Sequence, residues 1–153
     1  MSIKIGLSGV SAVAKEGRDA FLSYVDEAEA QGWDSIWFSD RIVGPTLRID
    51  PIVGMSMISG RTNKLKFGTG VLLMSVRSPV TMARELATLD NLSNGRVEAG
   101  LGRGIYGREA LNMNADADMK DQAKNFRLFE ETIEILKKAW SQKFFSHKGE
   151  FYT

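Results

Sequence analysis

The stretch of this sequence with the most chemistry in it is Gly100-Leu101-Gly102-Arg103-Gly104-Ile105-Tyr106-Gly107-Arg108. Glycines let backbone N–H groups come close to an anion, and an arginine set among them can grip a phosphate through two parallel hydrogen bonds. A phosphate-bearing cofactor is the natural reading. Gly102, Gly104 and Gly107 also satisfy the G-x-G-x-x-G spacing of dinucleotide-binding folds. That motif requires a helix opening on its third glycine and an acid about 20 residues further on. Here Gly107 runs into Arg108-Glu109-Ala110-Leu111-Asn112-Met113-Asn114, and the next helical pattern begins only near Asp121. The dinucleotide reading fails on context.

Three other places offer reactive or shape-bearing residues. Ser39-Asp40-Arg41 puts an acid beside a cation, and a partly buried carboxylate next to guanidinium stays ionised, able to polarise a ligand or simply to form a structural ion pair. Gly68 and Gly70 interrupt a β-rich run, which means either that a flat ring lies against that strand or, more simply, that the sheet bends there. Ser8-Gly9-Val10-Ser11 reads as a plain loop. The single histidine, His147, falls in the tail and reads as an exposed loop residue, and one His with no Cys supplies no metal-ligand spacing and no nucleophilic triad.

These segments need elements to hold them. Short β-rich runs at residues 3–7, 35–38, 65–73 and 96–101 are centred on Ile5, Ile36, Phe67 and Val97, at separations of 31, 31 and 30 residues. That is about one strand-helix-strand unit each. Between them, Phe21, Leu22, Val25 and Ala28 mark a first helix stopped by Gly32, with Asp26, Glu27 and Glu29 turned outward. Asp50-Pro51 is an N-cap followed by proline, opening a second helix with Ile52, Val53, Met55 and Ile58 inward. Ser78-Pro79 opens a third, with Met82, Leu86 and Leu89 inward until Asn94-Gly95. Phe126, Phe129, Ile133, Leu136 and Trp140 mark the fourth. Strands alternating with helices imply a parallel sheet, either open and doubly wound or closed as a barrel. In both, the working face lies at the carboxyl ends of the strands, where the segments above fall.

Composition limits the partners. With 153 residues, 43% of them apolar, the chain can build a core, and 20 basic against 19 acidic residues leave no block suited to nucleic acid. No run is long enough to span a bilayer, and Met1-Ser2-Ile3-Lys4-Ile5 lacks the stages of a signal peptide. With no cysteine, a cytoplasmic location is the default.

Taken in order, several segments resemble the luciferase-like monooxygenase family, the flavin-dependent oxidoreductases related to bacterial luciferase and to F420-dependent enzymes. They are Gly32-Trp33-Asp34-Ser35-Ile36-Trp37, Asp50-Pro51, Leu65-Lys66-Phe67-Gly68-Thr69-Gly70-Val71, Ser78-Pro79-Val80, Leu89-Asp90-Asn91-Leu92-Ser93-Asn94-Gly95-Arg96 and Gly100-Leu101-Gly102-Arg103-Gly104. The resemblance decides for the barrel. It implies an α/β fold of the (β/α)8 TIM-barrel type with only the first four units present, residues 1–153 being the truncated N-terminal half of that domain.

It further implies reduced FMN, or alternatively coenzyme F420, held at the carboxyl face. Gly70-Val71 corresponds to a non-prolyl cis peptide that relatives place against the flavin ring. Gly102 corresponds to a position near the ring's reactive edge, Arg103 to the phosphate-holding arginine, and Ile105 and Tyr106 to residues flanking the cofactor. Asp40 matches an acid at the end of strand two. Its neighbour is a histidine in luciferases but Arg41 here, and an arginine stays protonated and cannot serve as a general base. Arg41 is then expected to bind an anionic group.

The implied activity is transfer of hydride or an oxygen atom between a reduced flavin and a small organic substrate, with a flavin reductase as a possible supplier and a homo-oligomer as the expected assembly. The alternatives are an F420-dependent dehydrogenase or reductase, or a non-catalytic flavin-binding or self-pairing half-barrel.

Overall fold

The computed structural model describes residues 3–104, 113–117 and 120–153. Four strands, β1 (Gly6–Ser8), β2 (Ser35–Phe38), β3 (Lys66–Leu73) and β4 (Val97–Gly102), form one sheet in the sequential order β1-β2-β3-β4. β1 pairs parallel with β2, and β2 parallel with β3. The helices between and after them are α1 (Arg18–Ala30), α2 (Pro51–Arg61), α3 (Pro79–Leu92) and α4 (Gln122–Ser141). Among the described residues the strand order never reverses, whereas a doubly wound sheet turns back at a switch point.

The chain divides into two compact units, residues 1–72 with 88–100, and residues 73–87 with 101–153. The first holds the sheet. In-register neighbours of parallel strands share a face, so Leu7, Ile36 and Phe67 lie on one side, with Phe38 and Thr69 beside them. Ile36, Phe38 and Phe67 are fully buried there. A β-carbon on Gly54 of α2 would overlap the Phe38 ring, so the missing side chain lets α2 settle on this face. Gly6, Ser8, Ser35, Trp37, Lys66, Gly68 and Gly70 lie on the opposite side, and there the side chains are small or polar, Trp37 excepted.

The helix starts follow from their sequence signals. The Asp50 Oδ1 accepts from the N–H groups of Ile52 and Val53 at 2.9 and 3.1 Å, with Pro51 at the first helical position. At the end of α3, Asn94 and Gly95 take φ values of 58° and 74°, the left-handed turn that stops a helix.

Two helix faces differ from expectation. In α2 the buried stripe is Pro51, Gly54, Met55 and Ile58, and Val53 is exposed because it lies off that 3.6-residue stripe. In α4 the buried stripe is Asn125, Leu128, Thr132, Ile135 and Leu136, and Phe126 and Trp140 are half exposed. Both aromatics have outward work: Phe126 lies under the Arg103 guanidinium, and the Trp140 indole N–H donates to the Ala83 carbonyl at 2.9 Å.

The acids of α1 are likewise not simply solvated. Asp26 forms a two-pronged pair with Arg61 of α2, at 2.7 Å for each bond. Glu29 Oε1 accepts from the N–H groups of Asn63, Lys64 and Leu65, which fixes the turn entering β3.

Candidate functional site

In the first unit, the segment after β2 is held by a residue that sequence reading passed over. Ser11, in a 3₁₀ turn of residues Val10–Glu16, is fully buried. Its hydroxyl lies 3.2 Å from both the carbonyl and the N–H of Ser39, donating to one and accepting from the other. The loop after β1 is therefore a brace for the residue next to Asp40. A serine three residues past a short strand carries no signal that would have shown this.

Asp40 is 6% exposed, and its backbone N–H donates to the Val71 carbonyl at 3.4 Å. The side chain of Arg41 lies over Gly44, with Cδ at 2.8 Å from where a β-carbon on Gly44 would stand. The Gly70–Val71 peptide bond is cis, at the position the resemblance indicated.

The glycines of β3 and β4 do different work. A β-carbon on Gly68 would overlap the Glu98 carbonyl oxygen, and one on Gly100 would overlap the Thr69 carbonyl oxygen, so both are demanded by the close approach of the two strands. Gly68 therefore makes room for the neighbouring strand, a reason different from the sheet bend expected from sequence. At Gly70 the nearest atom to such a β-carbon is Trp37 Cε3, at 3.9 Å, so the space beside Gly70 is open.

Trp37 forms the other side of that space. Its indole N–H donates to Ser35 Oγ at 2.9 Å, and a β-carbon at Gly6 would collide with both Ser35 and Trp37. A glycine in β1 thus allows an aromatic plane to lie along the sheet. With Val71 at 42% exposure, the surface made by Trp37, Gly70 and Val71 is largely apolar and accessible.

In the second unit, Gly104 has φ +93° and follows Arg103, whose carbonyl accepts from Ser75 Oγ. The Ser75 carbonyl in turn accepts from Asn114 Nδ2 at 2.8 Å. The Arg103 guanidinium stands 5.6 Å from the Phe126 ring centre, and its Nη1 donates to Gln122 Oε1 at 3.4 Å. Among the described residues no carboxylate pairs with it, so its charge is available to an anion. Ile105 and Tyr106 lie outside the described residues.

His147 is not an exposed loop residue. Its side chain is 8% exposed, with Nε2 at 2.9 Å from Glu131 Oε1 and Nδ1 at 3.3 Å from Lys138 Nζ. Lysine can only donate, so Nδ1 accepts and the Nε2 proton goes to Glu131. Glu131 also accepts from the N–H groups of Glu150, Phe151 and Tyr152. Glu131 latches the tail to α4, alongside a two-pronged pair of Arg127 with Glu150 at 2.9 Å for each bond. Burial raises the Glu131 pKa, but the bonds from His147 and from Tyr152, Phe151 and Glu150 outweigh that and hold it below the usual carboxylate range.

The Leu89–Arg96 motif turns out to be a folding device. Arg96, 9% exposed, donates from Nε to Ser93 O, from Nη1 to Thr62 Oγ1 and Leu65 O, and from Nη2 to Ser59 O, with its guanidinium over Phe67. It ties the turn before β4 to the turn before β3.

Residues 4–153 match the family model for luciferase-like monooxygenase, and the chain belongs to that family. It is 31% identical over 134 residues to an F420-dependent glucose-6-phosphate dehydrogenase of Kineococcus radiotolerans, covering 83% of this chain and 38% of that one. It is 27% identical to the oxygenase component of a flavin-dependent trigonelline monooxygenase of Acinetobacter baylyi, covering 90% and 38%.

Among solved structures, the oxygenating constituent of 3,6-diketocamphane monooxygenase from Pseudomonas putida, in complex with FMN, superposes with a TM-score of 0.85 at 21% identity, over 99% of this chain and 43% of that one. An F420-dependent secondary alcohol dehydrogenase superposes at 0.76 with 20% identity, over 99% and 46%. The chain thus spans less than half the length of these relatives.

Proposed function

We propose that the chain forms the cofactor-binding first half of a luciferase-like (β/α)8 barrel that passes hydride or an oxygen atom between a reduced flavin and a small organic substrate. The observation that carries this reading is the open space between Gly70 and Trp37, which leaves room for a planar group against β3. Gly70 and Val71 hold the ring in the first unit. Gly102, Arg103, Ile105 and Tyr106 are the further residues read as cofactor-binding, and Arg103 would grip a phosphate. Reduced FMN or, alternatively, coenzyme F420 supplies the reducing electrons; relatives at similar identity are named for each.

The chain's own residues bind, orient and exclude water. Asp40, buried and bonded through its backbone to Val71, sets a carboxyl group beside the ring wall. Arg41 would bind an anionic group of substrate or cofactor, since its guanidinium offers several N–H donors and no acceptor. A flavin reductase would deliver reduced cofactor to an oxygenase working in this way.

The test is titration of the purified protein with FMN, reduced FMN and F420, followed by flavin fluorescence and melting temperature. Saturable quenching with a raised melting temperature is expected for one of the three, and that one identifies the cofactor. No response to any of them sinks the proposal.

A further inference from the structure

The loop between β2 and α2 is closed at its base on one buried residue. Ser11 holds the Ser39 backbone through its hydroxyl, at 3.2 Å from both the carbonyl and the N–H, and its own carbonyl accepts from the Ile49 N–H at 3.2 Å. Ile49 in turn rests on α2, with Cγ2 at 2.7 Å from where a β-carbon on Gly54 would stand. Residues 40–48 therefore leave and return to a fixed point at the carboxyl end of β2, next to the Asp40 N–H that bonds the Val71 carbonyl.

Arg48 closes that base. It is half-buried, its Nη1 donates to Ser39 Oγ at 3.4 Å, and its Nε is enclosed with no hydrogen-bond partner. Arg61 and Arg127 each grip a carboxylate with two prongs, whereas Arg48, among the described residues, bonds one neutral hydroxyl and no acid. Guanidinium has several N–H donors, so most of its bonding capacity is unused here. Arg41 stands two residues past Ser39, within about 7 Å of it even along an extended backbone, and its side chain folds over Gly44. The two arginines thus share the foot of one loop. Asp40, between Ser39 and Arg41, can neutralise only one guanidinium, so the group keeps a net positive charge. The stretch between the arginines, Ile42-Val43-Gly44-Pro45-Thr46-Leu47, carries no charge.

We propose that Arg48 is a substrate-binding residue acting with Arg41, and that the substrate is a small organic anion whose charged group lies at the two guanidiniums and whose apolar part lies along Ile42, Val43 and Leu47. The inference rests on the reading of the chain as part of a flavin-dependent barrel, which puts substrate at the carboxyl ends of the strands. Guanidinium suits carboxylate, sulfonate and phosphate alike, because its parallel N–H groups match two oxygens at once. The bond to Ser39 sets the Arg48 fork in place before the ligand arrives, which lowers the ordering cost of binding. A neutral molecule of the same size would leave the positive charge without a counter-ion, so the loop selects against it.

The test compares binding of hexanoate, hexanesulfonate and hexyl phosphate with that of neutral hexanamide, by calorimetry on the purified protein and on Arg48→Gln. One of the anions is expected to bind about tenfold or more tighter than hexanamide. Arg48→Gln should cut that ratio about tenfold while hexanamide affinity and melting temperature hold. No preference for any anion, an equal loss for anion and amide, or a lowered melting temperature with the ratio intact overturns the proposal, the last making Arg48 a structural residue. If Arg48→Gln does not fold, Arg48→Lys reads the same ratio: a reduced ratio is expected, because a point charge does not span two oxygens, and an unchanged one overturns the proposal. Titrating the same samples with FMN, reduced FMN and F420 separates this inference from the reading it rests on. Cofactor binding without anion preference sinks this inference alone, and anion preference without response to any cofactor sinks the flavin reading while the anion site stands. A cofactor affinity that falls in Arg48→Gln assigns the residue to the cofactor and overturns the proposal.

Discussion

The Asp40 N–H donates to the Val71 carbonyl at 3.4 Å, joining the loop after β2 to the residue that follows the cis bond in β3. This backbone link, braced from behind by Ser11, means that the acid and the wall share one frame. A change in either is felt by the other without passing through solvent.

The glycines of β3 and β4 should separate by function when each becomes alanine. Gly68→Ala and Gly100→Ala force a β-carbon into a backbone carbonyl that cannot yield without parting the strands, and overpacking of this kind costs about 1–3 kcal/mol or more. Both should lower the urea midpoint clearly. At Gly70 the added carbon meets only Trp37 at ordinary contact distance, so the expected loss in Gly70→Ala is flavin affinity. If Gly70→Ala binds flavin as well as the unaltered protein, the wall is not where the ring lies.

Arg103 should matter only for ligands bearing a phosphate. A charge-assisted hydrogen bond is worth about 1.5–3 kcal/mol, so Arg103→Met is expected to weaken FMN roughly 10- to 100-fold while leaving riboflavin affinity unchanged. Equal losses for both ligands would place Arg103 elsewhere than at the phosphate.

Arg96 predicts stability, not binding. Its replacement by methionine leaves the carbonyls of Ser59, Leu65 and Ser93 without their donor, and each buried unpaired group costs about 1–3 kcal/mol. A destabilisation of roughly 3 kcal/mol or more is expected by chemical denaturation. Arg96→Lys should recover little, since one ammonium cannot reach all three.

Acid should loosen two turns together. Burial raises the Glu29 pKa, but the N–H groups of Lys64, Asn63 and Leu65, with Arg96 nearby, outweigh that and hold it low, as His147 and the tail N–H groups do for Glu131. A carboxylate depressed in the folded state stabilises fully above its unfolded value, here 4.5 for both, and that contribution fades as pH falls through the lower folded value. Stability should therefore drop on acidification below about pH 4.5. Glu131→Gln should flatten this drop, with hydrogen exchange of Phe151 and Tyr152 already fast at neutral pH. A pH profile unchanged by Glu131→Gln would refute the latch.

Regular spacing and local stop signals determined the elements by themselves. Strand centres 31, 31 and 30 residues apart, Asp50-Pro51, Ser78-Pro79 and Asn94-Gly95 act through backbone geometry within a few residues, so four strands and four helices were legible in order. The ordered motifs also pointed to the cis bond at Gly70–Val71.

Tertiary structure alone decided what each residue faces. Gly68 and Gly70 are alike in sequence, yet one is filled by a neighbouring strand and the other opens on Trp37. Ser11, Arg96, Glu131 and His147 each have at least one partner between 16 and 37 residues away. Such contacts depend on how strands approach and helices rotate, and no pattern local to those residues records them.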